Sequence, residues 1–290
     1  MLELIDISKV YRGGKRSLDG VTMHVRAGLL GLLGPNGAGK SSLMRIAATV
    51  TRPSSGRVMF EGSDAVARPE PLRAALGYLP QDFGVYPRLT AREFLSYLAA
   101  AKGIRARDAR VRIDELLHLV NLTEVAGRAL GGYSGGMLRR VGIAQSLLTD
   151  PRVLIVDEPT AGLDPEERVR FRNLLNELAA DRAVLLSTHI VSDVESVASD
   201  IAVLAGGRLV ARGLPEDLLR TVAGRVWEVT VPAEHAASLQ AGHLVSRTTR
   251  TRDGLRLRLL ASGPPVPDAE AVRPGLEDAY LAIVNQVAAC

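Results

Sequence analysis

Gly34-Pro35-Asn36-Gly37-Ala38-Gly39-Lys40-Ser41 has the residue types and spacing of a loop that holds phosphate. Side chains at Gly34, Gly37 and Gly39 would block close backbone approach, or forbid the dihedrals that turn successive N–H groups inward. Those N–H groups and the start of the following helix offer partial positive charge to an anion. Lys40 adds a full positive charge for the outer phosphates, and Ser41 offers a hydroxyl to Mg²⁺. Two more places carry chemistry. Asp157-Glu158 ends the run Val153-Leu154-Ile155-Val156, and His189 ends the run Ala183–Thr188. Because Asp157 and Glu158 are adjacent, their side chains diverge, and one can hold a metal while the other faces a water.

These groups need elements to place them. Leu29-Leu30-Gly31-Leu32-Leu33 reads as a buried strand and Ser42–Ala47 as a helix, so the glycine loop sits between strand and helix. That context separates a phosphate site from a glycine turn that merely caps a helix. The four apolar residues 153–156 fit a strand covered on both faces, as in a parallel sheet. Ligands of open α/β sheets bind at the carboxyl ends of such strands, where Asp157, Glu158 and His189 stand.

Bulk composition narrows the class. The 290 residues are 47% apolar, enough for one large packed domain or one plus a small one. Cys290 is the only cysteine, so no disulfide can form within the chain, and a reducing compartment fits. The N-terminus has no basic stretch followed by an apolar one, and no apolar run reaches the length of a membrane span. A membrane role is expected to come through another chain. The net charge is +4, but Lys9, Lys15, Lys40 and Lys102 are the only lysines, and the arginines are scattered among acids. That is not a phosphate-binding stripe, and no nucleic acid partner is expected.

Taken in order, residues 1–28 alternate as half-buried strands do, with a turn at Gly13-Gly14. Tyr11, just before it, reads on its own as a packing residue. The helix after the phosphate loop is expected to run to Thr51-Arg52-Pro53, and Ser54-Ser55-Gly56 to form a turn. Gly77–Gln81 is a short strand ending in a polar residue. Thr90 to about Leu122 has helical periodicity, an all-helical insertion in an α/β chain. Ser134 can cap a helix whose stripe is Met137, Val141, Ala144, Leu147 and Leu148. Residues 201–204 and 208–210 form a hairpin across Gly206-Gly207, and a boundary is expected near Gly224. The tail, 225–290, reads as a small α+β piece with a hairpin turn at Asp253-Gly254 and an amphipathic helix from Leu276 to about Ala288. Arg247, Arg250, Arg252, Arg256 and Arg258 are read as a solvated sheet face, because seven arginines of the tail are matched by seven acids. His24, His118, His235 and His243 are read as structural.

The order of these pieces resembles the ATPase subunit of an ABC (ATP-binding cassette) transporter. The residues that carry it are the loop 34–41, Gln81, Tyr133-Ser134-Gly135-Gly136-Met137, Asp157-Glu158, Gly162-Leu163-Asp164 and His189. It covers roughly residues 1–222. The tail, with Leu276-Glu277-Asp278-Ala279-Tyr280-Leu281, is similar to the C-terminal piece of ATPases from bacterial exporters of the drug-efflux type. The resemblance implies an α/β P-loop (Walker A) NTPase with an antiparallel β subdomain and a helical insertion at about 82–150 inside a domain of residues 1–224. A small C-terminal α+β appendage, 225–290, follows.

It also implies roles. Tyr11 would stack on adenine. Gly34, Pro35, Asn36, Gly37, Ala38, Gly39, Lys40, Ser41 and Ser42 would hold the nucleotide. Ser41, Gln81 and Asp157 would serve Mg²⁺. Glu158 would be the general base, with His189 and Gln81 beside it at the catalytic centre. Ser134, Gly135 and Gly136 would clamp the γ-phosphate bound to a second copy, and Asp164 would sit across that interface. The implied function is ATP hydrolysis that powers a separate transmembrane permease, by a homodimer at the cytoplasmic face of the membrane, in export of a drug-like or other small molecule. Tyr133 and Met137 stand where many members have leucine and glutamine, both outside the Ser-Gly-Gly that offers donors. Three rivals fit the residues less well. A soluble ABC-type ATPase acting on nucleic acid or the ribosome usually has two cassettes or a long insertion. A GTPase needs Asn-Lys-x-Asp. A small-molecule kinase needs neither Ser134–Gly136 nor His189.

Overall fold

The structure is a computed structural model and describes residues 1–160 and 163–288. Gly162 and Cys290 lie outside the described residues. Strands β1 (Leu2–Val10) and β2 (Arg16–Val25) pair antiparallel across the Gly13-Gly14 turn, and β3 (Gly28–Leu33) leads through the glycine loop into α1 (Lys40–Ala47). Next come β4 (Ser55–Phe60), β5 (Ser63–Asp64), α2 (Glu70–Ala75) and β6 (Leu76–Leu79). The insertion holds α3 (Ala91–Ala101) and α4 (Ala106–Leu119), followed by α5 (Gly135–Ser146). The chain then runs β7 (Val153–Asp157), α6 (Pro165–Ala179), β8 (Ala183–Thr188), α7 (Val191–Glu195), β9 (Asp200–Ala205), β10 (Arg208–Gly213) and α8 (Pro215–Arg220). The tail adds β11 (Val226–Val231), α9 (Ala233–Gly242), β12 (Leu244–Thr251), β13 (Gly254–Leu260), β14 (Glu270–Ala271) and α10 (Leu276–Ala288).

The central sheet has six strands in the order β10-β9-β3-β8-β7-β6, parallel except for β10. Its strands are apolar on both sides because each side faces a different core. Leu29 and Leu33 of β3, Leu154 and Val156 of β7, and Val184 and Leu186 of β8 join the core shared with the helical insertion, α6 and α7. Leu30, Leu32, Val153, Ile155, Ala183 and Leu185 join the core shared with α1 and the antiparallel sheet β2-β1-β4-β5. This period-two division explains the uninterrupted apolar runs and leaves polar residues only where the strands end.

Two local expectations need correction. Helix α1 ends at Ala47, well before Pro53. Thr49 turns to φ +57, its N–H bonds Ile46 O at 3.0 Å, and the N–H of Val50 bonds Arg45 O at 2.9 Å. The last turn therefore closes on itself and the proline is not what stops it. Ser55 and Gly56 belong to β4 rather than to a turn, because Ser55 pairs with Ser8 of β1. Helix α3 begins where Thr90 and Glu93 form a reciprocal capping box, the hydroxyl accepting from the Glu93 N–H and the carboxylate from the Thr90 N–H.

The tail sheet, β12-β13-β11-β14, packs Val229, Leu257 and Leu259 against Ala236 of α9. The reading of Arg258 as part of a solvated face is wrong. Its side chain is mostly buried between Glu228 (2.9 Å) and Asp278 (2.8 Å), a pair drawn inward because α10 lies along that side of the sheet. Helix α10 also returns to the main body. Leu276, Ala279 and Ala282 sit in the core that holds Val194 of α7 and Leu218 of α8. Among the described residues no helix is long and apolar enough to cross a membrane.

Candidate functional site

The ends of β3, β6, β7 and β8 open onto one cleft of about 580 Å³. It is lined by Asn36, Gly37, Ala38, Gly39, Lys40, Ser41 and Ser42 of the loop and helix start, by Gln81, Glu158 and His189, and by Tyr11, Arg12, Lys15 and Ser17. Gly39 has φ +106, and a Cβ there would lie 2.4 Å from the carbonyl of Ser17. Gly37 also has positive φ, +81, but a Cβ there would meet nothing. One glycine lets β2 approach the loop, and the other keeps the lining of the cleft bare. A Cβ on Gly34 would lie 2.3 Å from a carbonyl of the neighbouring strand, Leu204 O.

Lys40 is buried, and its ammonium donates to Gly34 O at 2.7 Å and Pro35 O at 3.3 Å. It also faces Glu158 Oε1 at 3.5 Å. Glu158 is 5% exposed and adopts φ +48, a left-handed backbone that glutamate rarely takes. Its N–H donates to Ser187 O, which holds the turn, and its Oε2 lies 2.7 Å from Nδ1 of His189. Strain at this residue aims a carboxylate across the cleft between a lysine and a histidine.

Asp157, the last residue of β7, is not among the residues lining the cleft. It is 2% exposed, and its Oδ1 has no hydrogen-bond partner among the described residues. Burial pushes its carboxyl pKa up, while the hydroxyls of Ser187 and Ser41 and the charge of Lys40 pull it down. An orphaned buried carboxylate oxygen near a serine hydroxyl is a donor set for a hard cation, so these residues fit Mg²⁺.

Tyr11 is 39% exposed, and its hydroxyl lies 3.1 Å from Ser42 Oγ, which in turn lies 2.8 Å from Ser17 Oγ. Nζ of Lys9 lies 5.3 Å from the ring centroid. The ring, which lines the cleft, is thus tied to α1 through Ser42. Arg12, Lys15 and Ser17, not singled out from the sequence, also stand there; nothing but nearness to Tyr11 pointed to them.

Ser134, Gly135, Gly136 and Asp164 are not among the residues lining this cleft. Ser134 caps α5 by accepting from the Met137 N–H at 3.2 Å, and Ser134 and Gly135 are exposed. Gly136 is buried against Glu167 of α6, so closely that a Cβ there would lie 1.8 Å from its Oε2. Asp164 caps α6 by accepting from the Glu167 N–H at 2.8 Å. Arg139, also missed from the sequence, is buried behind the cleft against the backbone of residues 80–81 and 157–159. It lies off the apolar stripe of α5, and periodicity gave no sign of it.

A parallel sheet with a glycine loop at the end of one strand, paired acids at the end of another and a histidine beside them defines a nucleoside triphosphatase of the P-loop class. The family model for ABC transporters matches residues 18–161. The ABC transporter ATP-binding protein YxlF of Bacillus subtilis (strain 168) is 32% identical, over 98% of this chain and 100% of that protein. The daunorubicin resistance ATP-binding protein DrrA3 of Streptomyces coeruleorubidus is 35% identical, over 91% of this chain and 83% of that one. A solved ATP-binding subunit of an ABC transporter superposes with a TM-score of 0.69 at 31% identity, over 76% of this chain and 92% of that one. A dimeric bacterial ABC transporter cassette gives 0.68 at 25% identity, over 74% and 98%. The chain belongs to the ABC transporter family as an ATP-binding subunit, and it is an ATPase.

Proposed function

We propose that this chain drives export of a small, drug-like molecule through a separate membrane permease, as a homodimer that closes on two ATP molecules and opens when they are hydrolysed. The observation that carries the reading is the separation of two half-sites. The cleft of Lys40, Glu158 and His189 is one half, and the exposed helix start at Ser134 and Gly135, outside that cleft, is the other. A second copy, turned about a twofold axis, would bring each helix start to the other's cleft. The γ-phosphate then bridges donors from both chains, and its loss removes the bridge.

Within a cleft, Lys40 and the loop N–H groups bind the outer phosphates, and Tyr11 offers its ring to the base. Glu158 accepts a proton from the attacking water, and His189, bonded to it, fixes its direction. Ser41, Asp157 and Gln81 would hold Mg²⁺, which neutralises charge on the phosphates when bound. Asp164 stands at the dimer face. Residues 1–224 form the cassette and 225–290 the appended region, and the assembly sits at the cytoplasmic face of the membrane. Export and a drug-like cargo are supported by the names of relatives in daunorubicin resistance and Nod factor export.

The test uses purified full-length protein. Wild type should release phosphate from MgATP. Glu158→Gln should bind ATP, turn over about 10²-fold more slowly or worse, and accumulate as a dimer by light scattering. Normal turnover in that variant removes Glu158 as the base, and a chain that stays monomeric with MgATP removes the composite site. Uptake by inside-out vesicles carrying the permease tests the direction.

A further inference from the structure

Arg139 lies just past Gly136 on α5 and is 9% exposed. Its Nε donates to Pro159 O at 3.0 Å. Nη1 donates to Pro80 O at 3.1 Å and to Gln81 O at 2.8 Å. Nη2 donates to Asp157 O at 2.8 Å and Glu158 O at 2.5 Å. A guanidinium has five N–H donors in one plane, and all of them end on main-chain carbonyls. No carboxylate is paired with it in these bonds, so the fork holds the course of two backbone segments and not a side chain. Those segments leave the ends of β6 and β7, and they carry Gln81 and Glu158. Burial lowers the guanidinium's pKa, and the charges of Asp157, Asp82 and Glu158 oppose that. A cation so enclosed is costly unless every donor is met, so its geometry is all or nothing.

We infer that Arg139 is a positioning residue that couples the two nucleotide sites of a dimer. The inference rests on the composite-site reading above. The first turn of α5 presents Ser134–Gly136 to the phosphate bound by the partner copy, and Arg139, on the same rigid helix, grips the loops that aim this chain's own Gln81 and Glu158. A shift of α5 when the partner's nucleotide seats is carried through a planar fork that cannot yield at one bond alone. Filling one site thereby sets the attack geometry at the other.

The test compares full-length wild type, Arg139→Lys and Arg139→Gln. In the wild type, phosphate release should rise sigmoidally with ATP, with a Hill coefficient approaching about 2, the limit for two coupled sites. Lysine keeps the charge but has three donors and no plane. Arg139→Lys should bind a fluorescent ATP analogue within about threefold of wild type, lose at least about tenfold in kcat, and show a Hill coefficient near 1. A purely structural role would lower kcat and Tm with the Hill coefficient intact. That result, or a coefficient of 1 in the wild type, overturns the inference. If neither variant folds, the arginine is left in place. A labelled Lys40→Ala chain, unable to fill its own cleft, is paired with an unlabelled Ser134→Arg chain, which can fill its own. Slower amide exchange over residues 80–85 and 157–160 of the labelled chain on adding ATP supports coupling, and unchanged exchange overturns it. Failure of the wild type to hydrolyse ATP, with Glu158→Gln remaining monomeric, would instead sink the composite-site reading itself.

Discussion

Nδ1 of His189 lies 2.7 Å from Oε2 of Glu158, and the other oxygen of that carboxylate faces Lys40 Nζ at 3.5 Å. The glutamate is therefore held from both sides, by a buried lysine and by a histidine whose side chain is 46% exposed. In the proposed reaction the histidine fixes direction, and the lysine serves the phosphate.

His189→Ala should leave ATP affinity within a few-fold and lower kcat by about 10- to 100-fold, since the proposed base, Glu158, stays but loses its bonded neighbour. Steady-state phosphate release against ATP concentration separates the two constants. An equal rise in KM with kcat intact would assign His189 to ground-state binding instead.

Asp157→Asn should make the chain more stable without magnesium. The folded carboxyl has a raised pKa, so its stabilising form is the protonated one, fully present below the unfolded value near 4 and lost as pH rises through the folded value. At neutral pH the ionised oxygen, without a partner among the described residues, is a cost of about 1–3 kcal/mol that asparagine relieves in part. Urea unfolding at pH 7 and at pH 4 should show the gain shrinking in acid. Addition of MgATP should stabilise wild type and not the variant.

Gly37→Ala and Gly39→Ala should fail differently. At Gly39 the new Cβ lies 2.4 Å from a backbone oxygen, so the loop must move away from β2 and the fold loses about 2 kcal/mol or more. At Gly37 there is room, so stability should fall by about 1 kcal/mol from the positive φ alone, while ATP binding is lost because the methyl occupies the cleft. Thermal melts with and without nucleotide distinguish the two.

Asp278→Ala should cost about 3 kcal/mol. The carboxylate is 1% exposed and accepts from Arg258, from Ser246 Oγ at 2.6 Å and from the Gly275 N–H at 2.8 Å. Burial alone would raise its pKa, but these donors outweigh burial and hold it low. A depressed folded value gives stability that is present above the unfolded pKa near 4 and lost as pH falls through the folded one. The stability gap between wild type and Asp278→Ala should therefore close below pH 4.

Much of this was legible from residue order. The loop 34–41, the apolar runs of β3, β7 and β8, and the residues at their ends are local signals, and the parallel sheet gathers Asn36–Ser41, Glu158 and His189 into one cleft. What escaped depends on chain segments distant in sequence. Arg139 is buried only because the segments after β6 and β7 fold over it, and Arg258 only because α10 lies beside β13. Thr49 shows a third kind of miss. A self-closing helix end needs a positive φ, and threonine gives no warning of one.

The return of α10 to the cassette has a consequence for engineering. Its Leu276, Ala279 and Ala282 are shared property of two regions that look separable on paper. A truncation before β11 would bare oily surface on α7 and α8 and invite aggregation, and a tail borrowed from a relative would need its helix recut to match. The tail is a keystone in the masonry and cannot be swapped as a detachable module.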